Sequence, residues 1–496
     1  MRKVILDLPL LVILMGLSSL VMYVPAAHGL IAGPMWVARP FFYGGTILLV
    51  CSAMLGIATA NYQPRDVAKS QLFALVGAFF ILPPMLALPF HQAMPHLAFK
   101  DILFDMVSAL TTTGFDTFKF EAKMPDTIQL WRALVGWFGG LLILVGAGGI
   151  LVPLGIGGAE VMSSKTAARQ VHQHDATKRI IRGLFAILPL YGGATLVLWL
   201  LLIIAGEQEL TAFCHALSTL STSGISPVGG MNGSEAPFAS EFFILCAFML
   251  TLTRRSYGAS TFLGREGPIY QDPELRLAVF IVLFICVTIF LRHFIAAPTS
   301  TGIFRGLETF WGLLFTSVSF LTTTGFVSVN WNLAGAWSGL GDTALILVGL
   351  CLIGGGVCTT TGGIKLLRAA ALIAQVSREL DRIIVPNSVG GSGKEVRQLR
   401  REGAHLAWVY VMLVAATMVV VLLALALINI NFHLSVLLAI SAFTNTGPLL
   451  NLTTEMPVIL TGLPLPEQGL LAFAMILGRL EVLALIALLI PQAWRS

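Results

Sequence analysis

Leu110-Thr111-Thr112-Thr113-Gly114-Phe115 recurs, letter for letter, as Leu321-Thr322-Thr323-Thr324-Gly325-Phe326. Two weaker copies complete the set. Ser221-Thr222-Ser223-Gly224-Ile225 lies between them, and Thr444-Asn445-Thr446-Gly447-Pro448 lies near the carboxyl end. The four glycines are 110, 101 and 122 residues apart. A period of that size means that a whole structural unit repeats, not a short motif.

Working outward, each unit reads as an apolar helix, a short apolar half-segment ending in the Thr/Ser-Gly copy, a polar stretch and a second apolar helix. Unit one (71–182) uses about Gln71–Pro89, Leu97–Thr111 and Ile128–Leu154. Unit two (183–276) uses about Gly183–Ala205, Leu210–Leu220 and Phe242–Phe262. Unit three (277–405) uses about Leu277–Ala296, Phe304–Leu321 and Ala344–Leu372, and unit four (406–496) about Ala407–Ile428, Leu434–Phe443 and Gly469–Ile490. The half-segments are too short to span a bilayer and suit re-entrant or buried segments. Residues 1–70 read as two leading helices. The first apolar run, most of Val4–Val24, exceeds the ~7–15 residues of a signal-peptide core, so it is read as a retained helix. The expected fold is an all-α polytopic membrane protein with ten transmembrane helices, four re-entrant pore segments and pseudo-fourfold repeats.

Composition agrees. The 496 residues are 56% apolar and only 11% charged, against roughly 25% charged in ordinary soluble domains. The apolar runs are continuous rather than alternating, which excludes a spanning barrel. The six cysteines form no CxxC pair, so neither a disulfide framework nor a zinc site is expected. No basic tract suggests nucleic acid, and no nucleophile–base constellation suggests an enzyme. His172-Gln173-His174 reads as a solvated loop. Gly155-Ile156-Gly157-Gly158 lacks the strand context of a dinucleotide site. With the amino terminus inside, 22 of the 30 Lys and Arg fall on cytoplasmic ends or loops, Lys365 and Arg368 among them. That bias puts both termini in the cytoplasm. The outer segments are acidic, with Asp101, Asp105, Glu207, Glu209, Glu235, Glu241 and Glu467 among them. A negative mouth would concentrate cations, although solvated loops would look the same.

Non-helical backbone at membrane depth is tolerated only where protein buries it or water reaches it. Four such segments therefore belong around one aqueous axis, each supplying one wall of a pore for a dehydrated cation. Glycine permits positive φ, rings of backbone carbonyls can replace a cation's water, and each half-helix turns its negative end toward the axis. Gly354-Gly355-Gly356-Val357-Cys358-Thr359-Thr360-Thr361-Gly362-Gly363-Ile364-Lys365 should interrupt the third unit's last helix, because each glycine costs up to ~1 kcal/mol there. Arg479, a charge inside the last helix, is a functional candidate by default. Glu481, two residues on, cannot share its face.

These features resemble the TrkH/KtrB/HKT superfamily of potassium transporters, most of all its bacterial TrkH branch, over nearly the whole chain. The resemblance implies one pseudo-fourfold pore per chain and a homodimer in the bacterial inner membrane. It implies potassium, with no organic cofactor, at Thr112, Thr113, Gly114, Thr222, Ser223, Gly224, Thr323, Thr324, Gly325, Asn445, Thr446 and Gly447. In plant relatives a serine replacing the first filter glycine accompanies sodium transport; all four positions here are glycine. The fourth copy, with Asn445 and Pro448, resembles the family's own divergent fourth filter. It further implies an intramembrane gate at Gly354, Gly355, Gly356, Thr359, Thr360, Thr361, Gly362, Gly363 and Lys365, opposed by Arg479. Val357 and Cys358 depart from the family's usual small-residue core. A cytoplasmic, nucleotide-binding, TrkA-like ring protein is the implied regulator, facing Tyr270–Glu274, Arg378–Arg382 and residues 383–389. The competing expectation is a secondary transporter coupling potassium or sodium to a second ion, a class that also uses broken helices but usually inverts its repeats.

Overall fold

The computed structural model describes residues 9–60, 67–118, 124–154, 176–253, 255–256, 272–296, 303–338, 343–384, 403–428, 430–453, 458 and 460–489. Residues 155–175, with the His172 and Gly155 motifs, lie outside it, as do Tyr270, Gln271 and residues 385–389. Every regular element among the described residues is helical. The leading helices are α1 (Leu10–Ile31) and α2 (Met35–Thr59). Unit one contributes α3 (Val67–Ala93), α4 (Phe99–Leu110) and α5 (Asp126–Gly146). Unit two contributes α6 (Ala176–Ile204), α7 (Glu209–Ser221) and α8 (Pro237–Leu252). Unit three adds α9 (Pro273–Ala296), α10 (Ile303–Leu321), α11 (Trp331–Ser338), α12 (Ala344–Ile353) and α13 (Leu366–Ile384). Unit four adds α14 (Ala404–Leu427), α15 (Phe432–Phe443), α16 (Leu465–Leu480) and α17 (Val482–Leu489).

Seven of these helices are long and apolar enough to cross a membrane: α1, α2, α3, α5 with its continuation to Leu154, α6, α9 and α14. The protein is therefore a multi-pass membrane protein. The other three segments expected to cross are short or broken. α8 has 16 residues. The third unit's last helix is interrupted between α12 and α13, where Gly354 and Gly363 take φ of 70° and 76°. The last helix breaks at Glu481, φ 64°.

Burial separates centre from periphery. In α5 89% of the apolar window is buried, against 22% in α2 and α14. Ile57, Phe280 and Val420 stand exposed on the outer helices, as lipid-facing side chains do. The half-helices α4, α7, α10 and α15 are wedged inside: α4 packs on α3, α5 and α16, and α7 on α5, α6 and α8. α10 packs on α8, α9 and α12, and α15 on α14 and α16. Each ends where one Thr/Ser-Gly copy starts, at Leu110, Ser221, Leu321 and Phe443.

Candidate functional site

The four copies share one backbone shape. Their middle residues, Thr112, Thr222, Thr323 and Asn445, have φ of 55°, 55°, 57° and 54°. This left-handed conformation costs an L-residue roughly 1–2 kcal/mol, and a β-branched threonine there is a true outlier. Strain repeated at one register in four places is held by surrounding structure, as at functional sites. The holding bonds repeat too. The residue before each glycine donates its N–H to a serine carbonyl: Thr113 to Ser108 at 2.8 Å, Ser223 to Ser218 at 3.0 Å, Thr324 to Ser319 at 2.9 Å and Thr446 to Ser441 at 3.0 Å. The flanking hydroxyls pair across the turn, Thr111 with Thr113 at 2.8 Å and Thr322 with Thr324 at 3.0 Å.

The copies meet in a closed ring. A methyl group on Gly114 would fall on the Ser223 carbonyl oxygen of copy two, and one on Gly224 on the Thr324 carbonyl oxygen of copy three. Gly325 faces the Pro448 ring of copy four. Gly447 closes the circle, donating its N–H to the Thr113 carbonyl at 2.6 Å. A carbonyl has two lone pairs, so Thr113 can accept this bond and still offer the other. Gly114, Gly224 and Gly325 have positive φ, as the sequence suggests. Gly447 does not; it is needed for close approach, because a Cβ there would lie 2.5 Å from Phe115 N. Pro448 also reaches across toward Gly224, so the fourth copy stands apart in shape as in sequence.

The glycine-rich loop between α12 and α13 lies directly against this ring. Thr222 Oγ1 donates to the Thr360 carbonyl at 2.8 Å, and Thr360 Oγ1 donates to Leu220 at 3.0 Å. Gly362 N–H donates to Thr323 Oγ1 at 2.7 Å, while its Cα packs on the Thr444 carbonyl. Three of the four copies thus hold the loop. Arg479 Nη1 reaches the same Thr360 carbonyl at 2.5 Å. Its Nε and Nη2 have no hydrogen-bond partner among the described residues, although the side chain is buried. Lys365 Nζ caps the loop, donating to the Thr361 carbonyl. Gly354, Gly355 and Gly356 are buried in its first half and Thr359 and Gly363 in its second.

Several charges sit elsewhere than the sequence suggests. Asp101, Asp105, Glu207, Glu241 and Glu467 are buried and do not form an exposed acidic mouth; Glu209 and Glu235 are exposed. Asp105 on α4 is gripped by Arg132 on α5 through two bonds of 2.8 Å, and Arg132 Nη2 also reaches the Phe115 carbonyl at 3.3 Å. Glu241 accepts from Trp311 at 2.7 Å, from Ser328 at 2.9 Å and from Val329 N–H at 2.9 Å, holding the chain just after the third copy. Lys365 and Arg368, counted above among cytoplasmic loop charges, are buried. Arg368 pairs with Glu481 at 2.6 Å and lies 3.5 Å from the centre of the Tyr410 ring. Asp272 and Glu274, expected on a partner-facing surface, are also buried. Glu379–Ile384 at the end of α13 are exposed. One further regularity is present in the sequence: a serine stands six residues before the glycine of every copy, at 108, 218, 319 and 441.

Four strained turns close into a ring at the ends of four inward helices, inside a multi-pass membrane protein of the cation-transporting class. The chain belongs to the TrkH family of cation transport proteins, whose model matches residues 39–253 and 272–495. It is 28% identical to the Trk system potassium uptake protein TrkH of Vibrio parahaemolyticus, over 98% of each chain. It is 27% identical to that of Escherichia coli K12, over 89% of this chain and 90% of the other. The crystal structure of the potassium transporter TrkH from Vibrio parahaemolyticus superposes with a TM-score of 0.78 at 24% identity, covering 99% of both chains.

Proposed function

We propose that this protein takes up potassium across the bacterial cytoplasmic membrane through the ring formed by the four Thr/Ser-Gly copies. The observation that carries this reading is the cyclic contact of those copies, each with the same left-handed middle residue. Backbone carbonyls and hydroxyls of Thr112–Gly114, Thr222–Gly224, Thr323–Gly325 and Asn445–Gly447 replace the ion's hydration shell. The four half-helices are re-entrant, and α8, α12–α13 and α16–α17 complete ten crossings as short or broken spans. Both termini face the cytoplasm. The half-helix dipoles favour a cation at the ring. A charge crossing 100 mV gains ~2.3 kcal/mol, so inward movement needs no second ion.

The loop Gly354–Lys365 is the gate, in a closed arrangement: it fills the space against copies two, three and four and brings Arg479 with it. A homodimer and a cytoplasmic nucleotide-binding ring protein complete the system, the ring docking at the exposed end of α13.

The test is rubidium and potassium uptake into liposomes holding the purified protein. Uptake that follows the ion's own gradient and the membrane potential, with no proton or sodium requirement, is expected. Strict dependence on a proton or sodium gradient would establish a coupled transporter instead.

A further inference from the structure

Val357, in the middle of the gate loop, donates its N–H to Glu274 Oε1 at 2.9 Å. Glu274 is fully buried in the first turn of α9. It stands on a buried polar knot where α8 ends and α9 begins. Asp272 Oδ1 accepts the Glu274 N–H at 3.2 Å, and Oδ2 accepts the Thr253 hydroxyl and lies 3.6 Å from Arg255 Nε. Gly356 seats the loop on the same knot: a Cβ there would come within 2.7 Å of the Leu252 carbonyl and 3.1 Å of Thr253 N. The two halves of the loop are therefore held from different sides. Thr359–Gly363 is held by the ring and Arg479; Gly356-Val357 is held by the α8–α9 junction.

A backbone N–H needs only an acceptor, yet this one meets a carboxylate, whose bonds are about twice as strong as neutral ones. Burying that carboxylate is costly unless it is bonded, and the Val357 N–H is one of the groups that bond it. Resting on the reading of Gly354–Lys365 as the gate, we infer that Glu274 is a positioning residue that keeps the gate shut. Its carboxylate anchors the loop to the start of α9, beside the end of α8, so displacement of these two helix ends reaches the gate through this bond.

The test uses the full-length protein in liposomes, with rubidium uptake measured in the absence of any partner. Glu274→Ala leaves the Val357 N–H without its acceptor and raises basal uptake by about tenfold. Glu274→Gln keeps an acceptor oxygen in the same volume and stays within about threefold of wild type. Gly356→Ala lifts the loop from Leu252 without touching the carboxylate and also raises basal uptake. Discrimination between potassium and sodium is unchanged in all three, because the ring is not altered. Should Glu274→Ala fail to elute as a monodisperse species, Gly356→Ala and Glu274→Gln decide the matter. Wild-type uptake in the alanine variants overturns the inference, as does a leak accompanied by lost discrimination, which marks general loosening. If neither wild type nor any variant takes up rubidium, it is the potassium reading that fails.

Discussion

If the ring selects potassium as proposed, serine substitution at the glycines of its copies should weaken that selectivity in an order fixed by what each new Cβ meets. At Gly114, φ is 66° and the site of a Cβ is occupied by the Ser223 carbonyl oxygen. At Gly224, φ is again 66° and the obstacle is the Thr324 carbonyl oxygen. Each substitution adds roughly 1–2 kcal/mol of backbone strain and must move a carbonyl that lines the ring. At Gly325, φ is 85° but the nearest atoms belong to the Pro448 side chain, at 2.8–3.1 Å, which can shift without moving a carbonyl. One or two kcal/mol is a factor of about 5–30. Gly114→Ser and Gly224→Ser should therefore lose about 5–30-fold of potassium-over-sodium discrimination, and Gly325→Ser less. The assay is rubidium uptake into liposomes under competition from potassium or sodium. Unchanged discrimination in Gly114→Ser and Gly224→Ser, or a larger loss at Gly325 than at either, would refute the assignment.

Three further outcomes follow from the buried contacts. Arg132→Met leaves Asp105 unpaired in the interior and should cost about 3–5 kcal/mol, whereas adding Asp105→Leu should restore most of it; thermal denaturation in detergent measures both, and a double variant less stable than the single one contradicts this. Arg479→Ala removes a charge and a bond to Thr360 and should raise basal rubidium uptake. Thr222→Val removes a bond of about 1 kcal/mol to the same carbonyl and should raise it less, so the reverse order would argue against Arg479 as the main obstacle. Arg368→Met, which strands Glu481 at the break before α17, should destabilise the protein more than Glu481→Gln, since a glutamine can still accept from Arg368; equal melting midpoints would contradict this.

The repeat was legible because two identical hexapeptides and two degenerate ones recur at nearly even spacing. Helix boundaries around the half-segments followed, since each apolar run is terminated by its own Thr/Ser-Gly turn. The glycine-rich break between α12 and α13 was legible for the same reason: glycine density overrides helix propensity. What the chain did not disclose was burial of charge. Glu241 and Glu274 stand near helix starts, where a carboxylate usually meets water, and Asp105 stands in the middle of α4; only tertiary packing brings Ser328, Val357 and Arg132 to them. The left-handed turn at Thr112, Thr222 and Thr323 was also hidden, because threonine disfavours it. Asn445 at the fourth copy was the one clue, as asparagine tolerates that region. The serines six residues before each glycine were visible, yet their role depends on carbonyl bonds that no pattern of side chains reveals.

The most direct test is anomalous scattering from rubidium in crystals of the full-length protein grown in a rubidium salt. Strong peaks are expected on the axis enclosed by Thr112–Gly114, Thr222–Gly224, Thr323–Gly325 and Asn445–Gly447, and these should vanish when sodium replaces rubidium. Rubidium bound only outside that ring would contradict a pore formed by the four copies.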